Sequence, residues 1–334
     1  MAKIKAGIPI AANADRKANP MSPGKAGKCR CGKKAVFHRR YEGSRLCRQH
    51  FLESVEAKVR RTIRKGRMIE RNDRIAFALS GGKDSSSALY MLHGIFGKRK
   101  DLTFFAISID EGIRGYRSES LAIAKRLCKK LGVAHHVFSF AGELGMPLDS
   151  KVKEVNRRRE TQWEGTACTY CGLARRWLLN KKARELGATK IVFGMNLDDE
   201  VQGIMMDYMR GDLVRLSRMG GEAIMKSPLF VPRIKPFREI PEKEIGLYAF
   251  LSGLDIQEDE CPHIEGPRFR IRDFLNEMEA ESPGTKFSIL NTFGKLLPSV
   301  RAMVKANGVE LVRCEKCGEP SSQKVCKTCE MWGK

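Results

Sequence analysis

Between Asp73 and Met209 the chain alternates between short apolar runs and longer amphipathic stretches. The apolar runs, whose length suits buried strands, are RIAFAL (74–79), LTFFAISI (102–109), HHVFSF (135–140) and KIVFG (190–194). The stretches with helical spacing cover 84–96, 118–131, 173–186 and the residues that follow the fourth run, through Met209. The pattern predicts an α/β fold with a doubly wound parallel sheet and right-handed crossovers, whose ligands lie at the carboxyl ends of the strands.

Helical patterns also flank this predicted sheet domain. Before it, a helix to about Arg71 has a buried stripe formed by Leu52, Val55, Val59 and Ile63. Its other faces are crowded with basic residues that we expect to contact RNA phosphates: Lys58, Arg61, Arg64, Lys65 and Arg67. After Gly253, two more amphipathic helices are predicted over 269–281 and 288–306.

The distribution of charge favours a polyanionic partner. Lys and Arg total 62 against 39 Asp and Glu, a net charge of +23. The first 72 residues hold 20 basic and 5 acidic residues, so they carry +15 of that charge. Such a surplus excludes an acidic scaffold and points to nucleic acid. The chain has no apolar run of membrane-spanning length and no apolar signal core, so we expect a cytoplasmic protein that does not enter a membrane.

Eleven cysteines fall mostly in CxC and CxxC pairs, and in a reducing compartment such pairs are metal ligands or reactive thiols. Two CxxC pairs eight residues apart predict a structural zinc site at Cys314, Cys317, Cys326 and Cys329, with free surface thiols as the alternative. A second zinc site is expected near the N-terminus, at Cys29, Cys31, Cys47 and His50. Its CxC spacing is tight, so His38 is an alternative ligand to Cys29.

Three further cysteines, Cys168, Cys171 and Cys261, lie inside the sheet domain. Three thiolates suit a 4Fe-4S cluster that keeps one iron open, and such an iron could hold a sulfide. A zinc site or a persulfide resolved through a disulfide remain alternatives. We expect Cys171 to open a helix, where the helix dipole lowers the pKa of its thiol.

The segment Ser80-Gly81-Gly82-Lys83-Asp84-Ser85 follows the first predicted strand and opens the first helix. Paired glycines bring backbone N–H groups close to an anion, and the helix N-terminus adds partial positive charge. Lys83 and the two serines supply donors, and Asp84 makes sense in a phosphate site if Mg²⁺ is held there. The alternative is a simple strand-to-helix turn capped by Asp or Ser.

The segment 80–85 resembles the SGGxDS pyrophosphate loop of the ATP-pyrophosphatase (PP-loop) group. The segments 109–117 and 194–200 resemble nucleotide-contacting segments of its tRNA 2-thiolation branch, and 321–323 resembles the wobble-uridine thiolases in particular. Met195 departs from that pattern, because relatives commonly have His there. The resemblance extends from about Cys29 to Lys334.

The resemblance implies a PP-loop catalytic domain between two zinc fingers. The five parts are a flexible basic tail (1–27), an N-terminal zinc finger with a basic linker helix (28–72), the catalytic domain (73–265), a helical extension (266–308) and a C-terminal zinc finger (309–334). It also implies that Ile109 and Gly194 line the adenosine, that Arg175 lies near the phosphates and that Asp199 is needed for adenylation. Cys168, Cys171 and Cys261 would hold the cluster.

The function that follows is ATP-dependent 2-thiolation of a tRNA uridine, most simply at the anticodon wobble position. The resemblance implies ATP, Mg²⁺, one 4Fe-4S cluster and two zinc ions as cofactors. It also implies a ubiquitin-like carrier or sulfide as sulfur donor, and a homodimer or a heterodimer of related subunits. The alternatives are thiolation of the T-loop uridine or of a cytidine, a PP-loop tRNA ligase that uses no sulfur, and a non-catalytic zinc-module RNA-binding protein.

Overall fold

A computed structural model of the 334-residue chain describes residues 27–159, 165–220, 229–264, 266, 268–306 and 312–333. Apart from Gly27, the predicted basic tail lies outside the described residues. The chain divides into two compact units, Met1–Arg48 and Gln49–Lys334. The first unit contains an antiparallel hairpin of β1 (Phe37–Arg39) and β2 (Ser44–Leu46), joined by a 3-10 turn over Arg40–Glu42.

The second unit is built on a five-stranded parallel sheet, which confirms the predicted fold class. Its strands are β3 (Arg74–Ala78), β4 (Thr103–Asp110), β5 (Ala134–Ser139), β6 (Lys190–Val192) and β7 (Arg233–Ile234). Their spatial order is β5-β4-β3-β6-β7, so the direction of winding reverses between β3 and β6. Ligands of doubly wound sheets bind at the carboxyl ends of the strands at this switch point.

Helices cover both faces of the sheet and extend beyond it. The helices are α1 (Arg48–Lys65), α2 (Lys83–Phe96), α3 (Arg117–Leu131), α4 (Phe140–Leu144), α5 (Leu148–Arg159), α6 (Ala167–Glu185), α7 (Leu197–Met209), α8 (Leu213–Ser217), α9 (Glu242–Leu251), α10 (Arg268–Glu281), α11 (Thr285–Ala306) and α12 (Lys327–Trp332). A short hairpin of β8 (Val312–Arg313) and β9 (Pro320–Ser321) precedes α12. In the described residues, no helix has the length and apolar content needed to span a bilayer.

Two helix boundaries differ from the sequence prediction, and one strand was not predicted. Helix α1 ends at Lys65, six residues before the expected Arg71, and Arg67 takes a left-handed φ of 45°. Helix α6 begins at Ala167, because the Thr166 side chain accepts a hydrogen bond from the Thr169 backbone and caps it there. The fifth strand, β7, was missed because its two residues cannot carry a hydrophobic period.

Candidate active site

The loop after β3 holds a backbone conformation that requires glycine. Gly81 has a φ of +87°, and a Cβ atom there would lie 2.2 Å from the backbone oxygen of Ser120. Gly194, which follows β6, would place a Cβ 2.7 Å from the carbonyl oxygen of Asp84. The two glycines therefore let the loop, α3 and the end of β6 meet at close range. A Cβ at Gly82 would meet only the Ser80 hydroxyl, at 3.6 Å, so this side of the loop faces open space.

The two serines of the loop fix its shape. Their hydroxyl oxygens lie 2.9 Å apart, and the backbone N–H of Ser80 donates to Ser85 Oγ at 3.1 Å. The loop is also joined to the segment after α9, because Gln257 N–H donates to the Gly81 carbonyl at 3.0 Å. Gly82 then begins α2 with an extended backbone. These contacts fix the loop, with the first N–H groups of α2 at its open side.

Lys83 lies between two carboxylates. Its Nζ is 2.7 Å from Glu242 Oε1 and 3.2 Å from Asp84 Oδ2. Burial opposes the charge of Lys83, but the two carboxylates outweigh burial and raise the pKa of its ammonium group. Burial raises the pKa of Asp84, against the attraction of Lys83 and a hydrogen bond from Asn196 Nδ2 at 3.0 Å. The lysine therefore stays charged where a phosphate would arrive.

Asp199 lies in the first turn of α7. It forms a capping box with Asn196, whose side chain accepts from the Asp199 N–H at 3.0 Å. Burial raises the pKa of Asp199 to about 6, the cation Arg268 opposes this rise, and the negative charges of Asp84 and Glu242 add to it. Three carboxylates thus share one region at the switch point of the sheet. Such a group favours a divalent cation, which would relieve their mutual repulsion.

Cys168 and Cys171 lie in the first two turns of α6, and Cys261 lies on the loop after α9. Cys168 Sγ is 3.6 Å from the carbonyl oxygen of His263, two residues after Cys261. Burial raises the pKa of Cys261, and the nearby thiols of Cys171 and Cys168 add to the rise. Cys261 also packs against the buried cluster that contains Cys171, so the three cysteines lie in one region. The loop that carries Cys261 is anchored by His263, whose Nε2 lies 2.7 Å from Asp149 Oδ1.

The expectation of a lowered pKa at Cys171 was wrong. Cys171 is buried, and burial raises the pKa of its thiol although the guanidinium of Arg175 opposes this. The helix begins at Ala167, four residues before Cys171, so this thiol lies beyond the first turn, where the dipole acts most strongly. Arg175 NH2 donates to Cys171 Sγ at 3.1 Å, and this contact is the main local support for a thiolate.

A continuous chain of contacts joins the loop to the cysteines. Arg117 NH1 donates to the Ser80 carbonyl at 2.9 Å, and Arg117 Nε lies 2.8 Å from the carboxylate of Glu111. The other oxygen of Glu111 is 3.3 Å from Arg175 Nε, and Arg175 reaches Cys171. Glu111 is only 4% exposed. The loop after β3 and the Cys171 thiol therefore lie at the same edge of the sheet, joined by these contacts.

Comparisons with known proteins agree with this geometry. A model of the PP-loop domain matches residues 51–278, and a model of the 2-thiouridine synthetase TtuA N-terminal LIM domain matches residues 28–52. The tRNA 2-thiolation protein NcsA of Haloferax volcanii is 36% identical over 316 residues, covering 90% of this chain and 97% of that protein. This chain belongs to the PP-loop tRNA 2-thiolation family.

Two further relatives of this family carry more specific names. A tRNA-5-methyluridine(54) 2-sulfurtransferase of Pyrococcus horikoshii is 33% identical, covering 92% of this chain and 94% of that one. The solved structure of a U34-tRNA thiolase, NcsA from Methanococcus maripaludis with its 4Fe-4S cluster, matches with a TM-score of 0.77 at 32% identity. That match covers 91% of this chain and 95% of the other. The resemblance to tRNA 2-thiouridine synthases is confirmed.

This family member also has two cysteine groups with the spacing of a single metal ion. The ligand atoms of Cys29, Cys31, Cys47 and His50 lie within 4.8 Å of one another, and so do those of Cys314, Cys317, Cys326 and Cys329. In each group one Sγ–Sγ pair is 3.7 Å apart. Two thiolates bound to a tetrahedral zinc at 2.3 Å are about 3.8 Å apart. Both groups, one with four thiols and one with three thiols and a histidine, therefore fit zinc. In the N-terminal group the fourth ligand position is taken by Cys29 and not by His38, so the CxC spacing allows both cysteines to reach the same group.

The remaining predicted site residues lie as follows. Ile109 is buried at the end of β4, where its carbonyl accepts from Arg117 Nε at 2.7 Å. The predicted basic residues face outward: Arg61, Arg64 and Lys65 of α1 are exposed, as is Arg67 two residues after its end, and Lys58 is half-buried. On the opposite face, the predicted stripe is confirmed for Val55, Val59 and Ile63, whereas Leu52 is only half-buried and Phe51 and Thr62 complete the buried side.

Sequence reasoning gave no role to four residues of this site: Glu111, Arg117, Glu242 and Arg268. Glu111 and Arg117 lie within the segment 109–117, which resembles a nucleotide-contacting segment. Their opposite charges, six residues apart, could have suggested an ion pair there. Glu242 reads as an ordinary acid in the first turn of a helix. Its position beside Lys83 depends on the packing of α9 against α2, which no local pattern reveals.

Proposed function

We propose that this chain is an ATP-dependent enzyme that replaces the O2 oxygen of a tRNA uridine with sulfur. The observation that carries the proposal is the chain of contacts from Ser80 through Arg117, Glu111 and Arg175 to Cys171. It joins a site suited to phosphates with a set of thiols, so that activation and sulfur transfer can take place at the same carbon.

In the first step, uridine O2 attacks the α-phosphorus of ATP, the bond to the bridging oxygen breaks, and pyrophosphate leaves. We assign the pyrophosphate to the N–H groups and serines of the loop, with Lys83 neutralising the negative charge that develops on it. Asp84 and Asp199 would hold Mg²⁺, whose fit rests on their half-buried, mutually repelling carboxylates. Glu242 orients Lys83 through the 2.7 Å ion pair.

In the second step, hydrosulfide sulfur bonds to C2 of the adenylated uridine and AMP leaves with the former O2. The sum is uridine, ATP and hydrosulfide giving 2-thiouridine, AMP and pyrophosphate, with no net oxidation. Cys168, Cys171 and Cys261 would hold a 4Fe-4S cluster, which when bound supplies an iron site for the transferred sulfur. The donor set fits, because three neighbouring thiols include one already hydrogen-bonded to a guanidinium. Arg175 also holds Cys171 in place.

We place the modified uridine at the wobble position, as the name of the Methanococcus maripaludis thiolase supports. The relative named for position 54 supports the T-loop as the second candidate. The two cysteine groups are proposed as structural zinc sites, and the basic face of α1 as an RNA contact. A ubiquitin-like carrier or sulfide as donor, a dimer and a cytoplasmic location remain predictions.

The test uses the full chain purified without oxygen, with its iron content and absorption spectrum recorded. It is incubated with a tRNA transcript, ATP, Mg²⁺ and sulfide, and the nucleosides are analysed by mass spectrometry. We expect ATP- and tRNA-dependent AMP and 2-thiouridine in equal amounts, and fragment mapping gives the position. AMP formation without a thiolated product, at full iron occupancy, would instead support the tRNA ligase alternative.

A further inference from the structure

Helix α6 and the extended segment 229–234 lie side by side and contact each other at regular steps. Arg184 NH1 donates to the Leu229 carbonyl at 2.9 Å. Four residues earlier on the helix, Asn180 Nδ2 donates to the same carbonyl at 2.8 Å, and Asn180 Oδ1 accepts from the Val231 N–H at 3.1 Å. Residues four apart share a helix face, and alternate residues share one side of a strand. The next step of this register pairs Arg176 with Arg233.

At this third step the register places two cations opposite each other, with Arg176 exposed and Arg233 half-buried. Burial and the charge of Arg176 lower the pKa of Arg233 to about 10, and burial and the charges of Arg175 and Arg215 lower the pKa of Arg176. In the portion of the chain that the structure describes, neither Arg176 nor Arg233 forms an ion pair with a carboxylate. The Arg233 guanidinium lies over the Phe193 ring, 5.4 Å from its centroid, and this contact holds its direction. Arg215 has its own partner, Asp212, at 3.2 Å.

We propose that Arg176 and Arg233 form a binding site for a backbone phosphate of the RNA substrate. Two guanidinium groups that the register sets opposite each other repel one another, and an anion that both reach relieves this repulsion; a phosphate matches their planar donors. The two preceding steps show the contrast. At Asn180 and Arg184 the donors of the helix meet carbonyl oxygens and Glu319, whereas the register sets Arg176 opposite another donor, Arg233.

The position favours RNA over ATP. Arg175 faces Glu111 and Cys171, and Arg176 is rotated about 100° from it around the helix axis, toward β7. The phosphates of ATP are assigned to the loop after β3, on the other side of β6. Along the axis of α6, Arg176 is about 7.5 Å from Cys171. A phosphate bound there would belong to the strand that presents the reacting uridine. This inference rests on the proposed function only for the identity of the RNA.

The test measures tRNA binding by the full chain as a function of salt, with an unmodified tRNA transcript as probe. We expect Arg176→Gln and Arg233→Gln each to raise the Kd about tenfold, as loss of one charge-assisted contact does. We also expect the slope of log K against log salt to fall by roughly 0.7 to 0.9, as for one lost phosphate. The matched controls Lys129→Gln and Lys130→Gln, two exposed cations in the last turn of α3, should change neither quantity.

Thermal unfolding without RNA separates a binding site from a structural pair. Removing one of two repelling charges should leave the melting temperature equal or raise it, whereas loss of a packing contact lowers it. Arg233→Lys, which retains the charge, should keep most of the affinity even if Arg233→Gln folds poorly. A Kd and a salt slope equal to those of the wild type in both Gln variants would overturn the proposal. The anion that binds the two arginines would then belong to an acidic protein partner and not to RNA.

The two proposals fail in different ways. If the wild-type chain binds tRNA through these arginines but forms no 2-thiouridine, the RNA site stands and the proposed reaction does not. If the wild-type chain thiolates tRNA while both Gln variants bind it normally, the reaction stands and the RNA site does not. AMP and 2-thiouridine are therefore measured at saturating tRNA, apart from the binding experiment.

Discussion

The C-terminal cysteine group and the three cysteines near the phosphate loop use the same side chain in different surroundings. In the C-terminal group, four ligand atoms lie within 4.8 Å, and the Cys326 N–H donates to Cys314 Sγ at 3.2 Å. Burial opposes ionisation of the Cys314 thiol, but such backbone donors outweigh burial and lower the pKa of Cys314 to about 6. Cys171 instead accepts from an arginine that also contacts the loop network, and its pKa is raised by burial.

The difference separates a closed site from an open one. Four thiols, of which Cys314 and Cys326 accept from backbone N–H groups, would complete the tetrahedral shell of the proposed zinc and leave no position for a substrate. Three thiols would leave one iron of the proposed cluster open, and a charged network links Cys171 to the loop after β3. The closed group also supports the open one, because Trp332 Nε1 donates to the Tyr170 carbonyl at 3.3 Å and Glu319 pairs with Arg184. Both contacts are to α6, the helix that carries Cys168 and Cys171.

The largest effect is expected from Cys261→Ser. Loss of one of three thiols should abolish 2-thiouridine, whereas AMP formation continues because the loop after β3 is unchanged. Both products are quantified in one anaerobic reaction, together with bound iron. The matched control is Cys128→Ala, which removes a buried thiol from α3, and it should keep both activities. A thiolated product from Cys261→Ser would show that this cysteine is dispensable.

The next effect concerns the acids of the open site. Asp84→Asn and Asp199→Asn should each lower AMP formation by about 10²- to 10³-fold, the range seen when one preorganised electrostatic group is removed. Binding of tRNA should remain near that of the wild type, since neither carboxylate is assigned to RNA. Asp207→Asn, near the end of α7, is the matched control. Normal AMP release by both loop-site variants would refute the roles assigned to them.

The two kinds of site also differ in how far sequence could predict them. The C-terminal group follows from spacing alone, because its ligands lie within 16 residues and fold around each other. The parallel sheet could be predicted from four apolar runs, and the loop could be predicted because the segment 80–85 directly follows the first of them. The open site depends on residues far apart in sequence, such as Lys83 and Glu242, which meet only through packing. The bond from Arg175 to Cys171 likewise needed the true start of α6, set by the Thr166 cap.

A smaller effect on chemistry, but a measurable one on stability, is expected where the closed group supports α6. Trp332 is 3% exposed and its ring lies 5.2 Å from that of Phe140 in an edge-on contact. Trp332→Ala should lower the free energy of unfolding by about 3–5 kcal/mol, measured in denaturant. Bound iron should fall with it if α6 loosens. Met331→Ala, at a half-buried neighbouring position, should change the stability less.

The smallest effect is a shift in pH dependence at Asp199. Because its pKa is raised to about 6, the fold favours the protonated acid, and its contribution to stability declines as pH rises from about 4 to 6. Mg²⁺ binding needs the carboxylate, so AMP formation should rise as pH passes 6. Arg268 opposes the shift, and Arg268→Gln should therefore move this rise to higher pH, with the plateau rate retained. Arg270→Gln, an exposed arginine on the same helix, should leave the profile in place. An unmoved profile in Arg268→Gln would mean that another group governs the rise, and that the open site does not depend on the ionisation of Asp199.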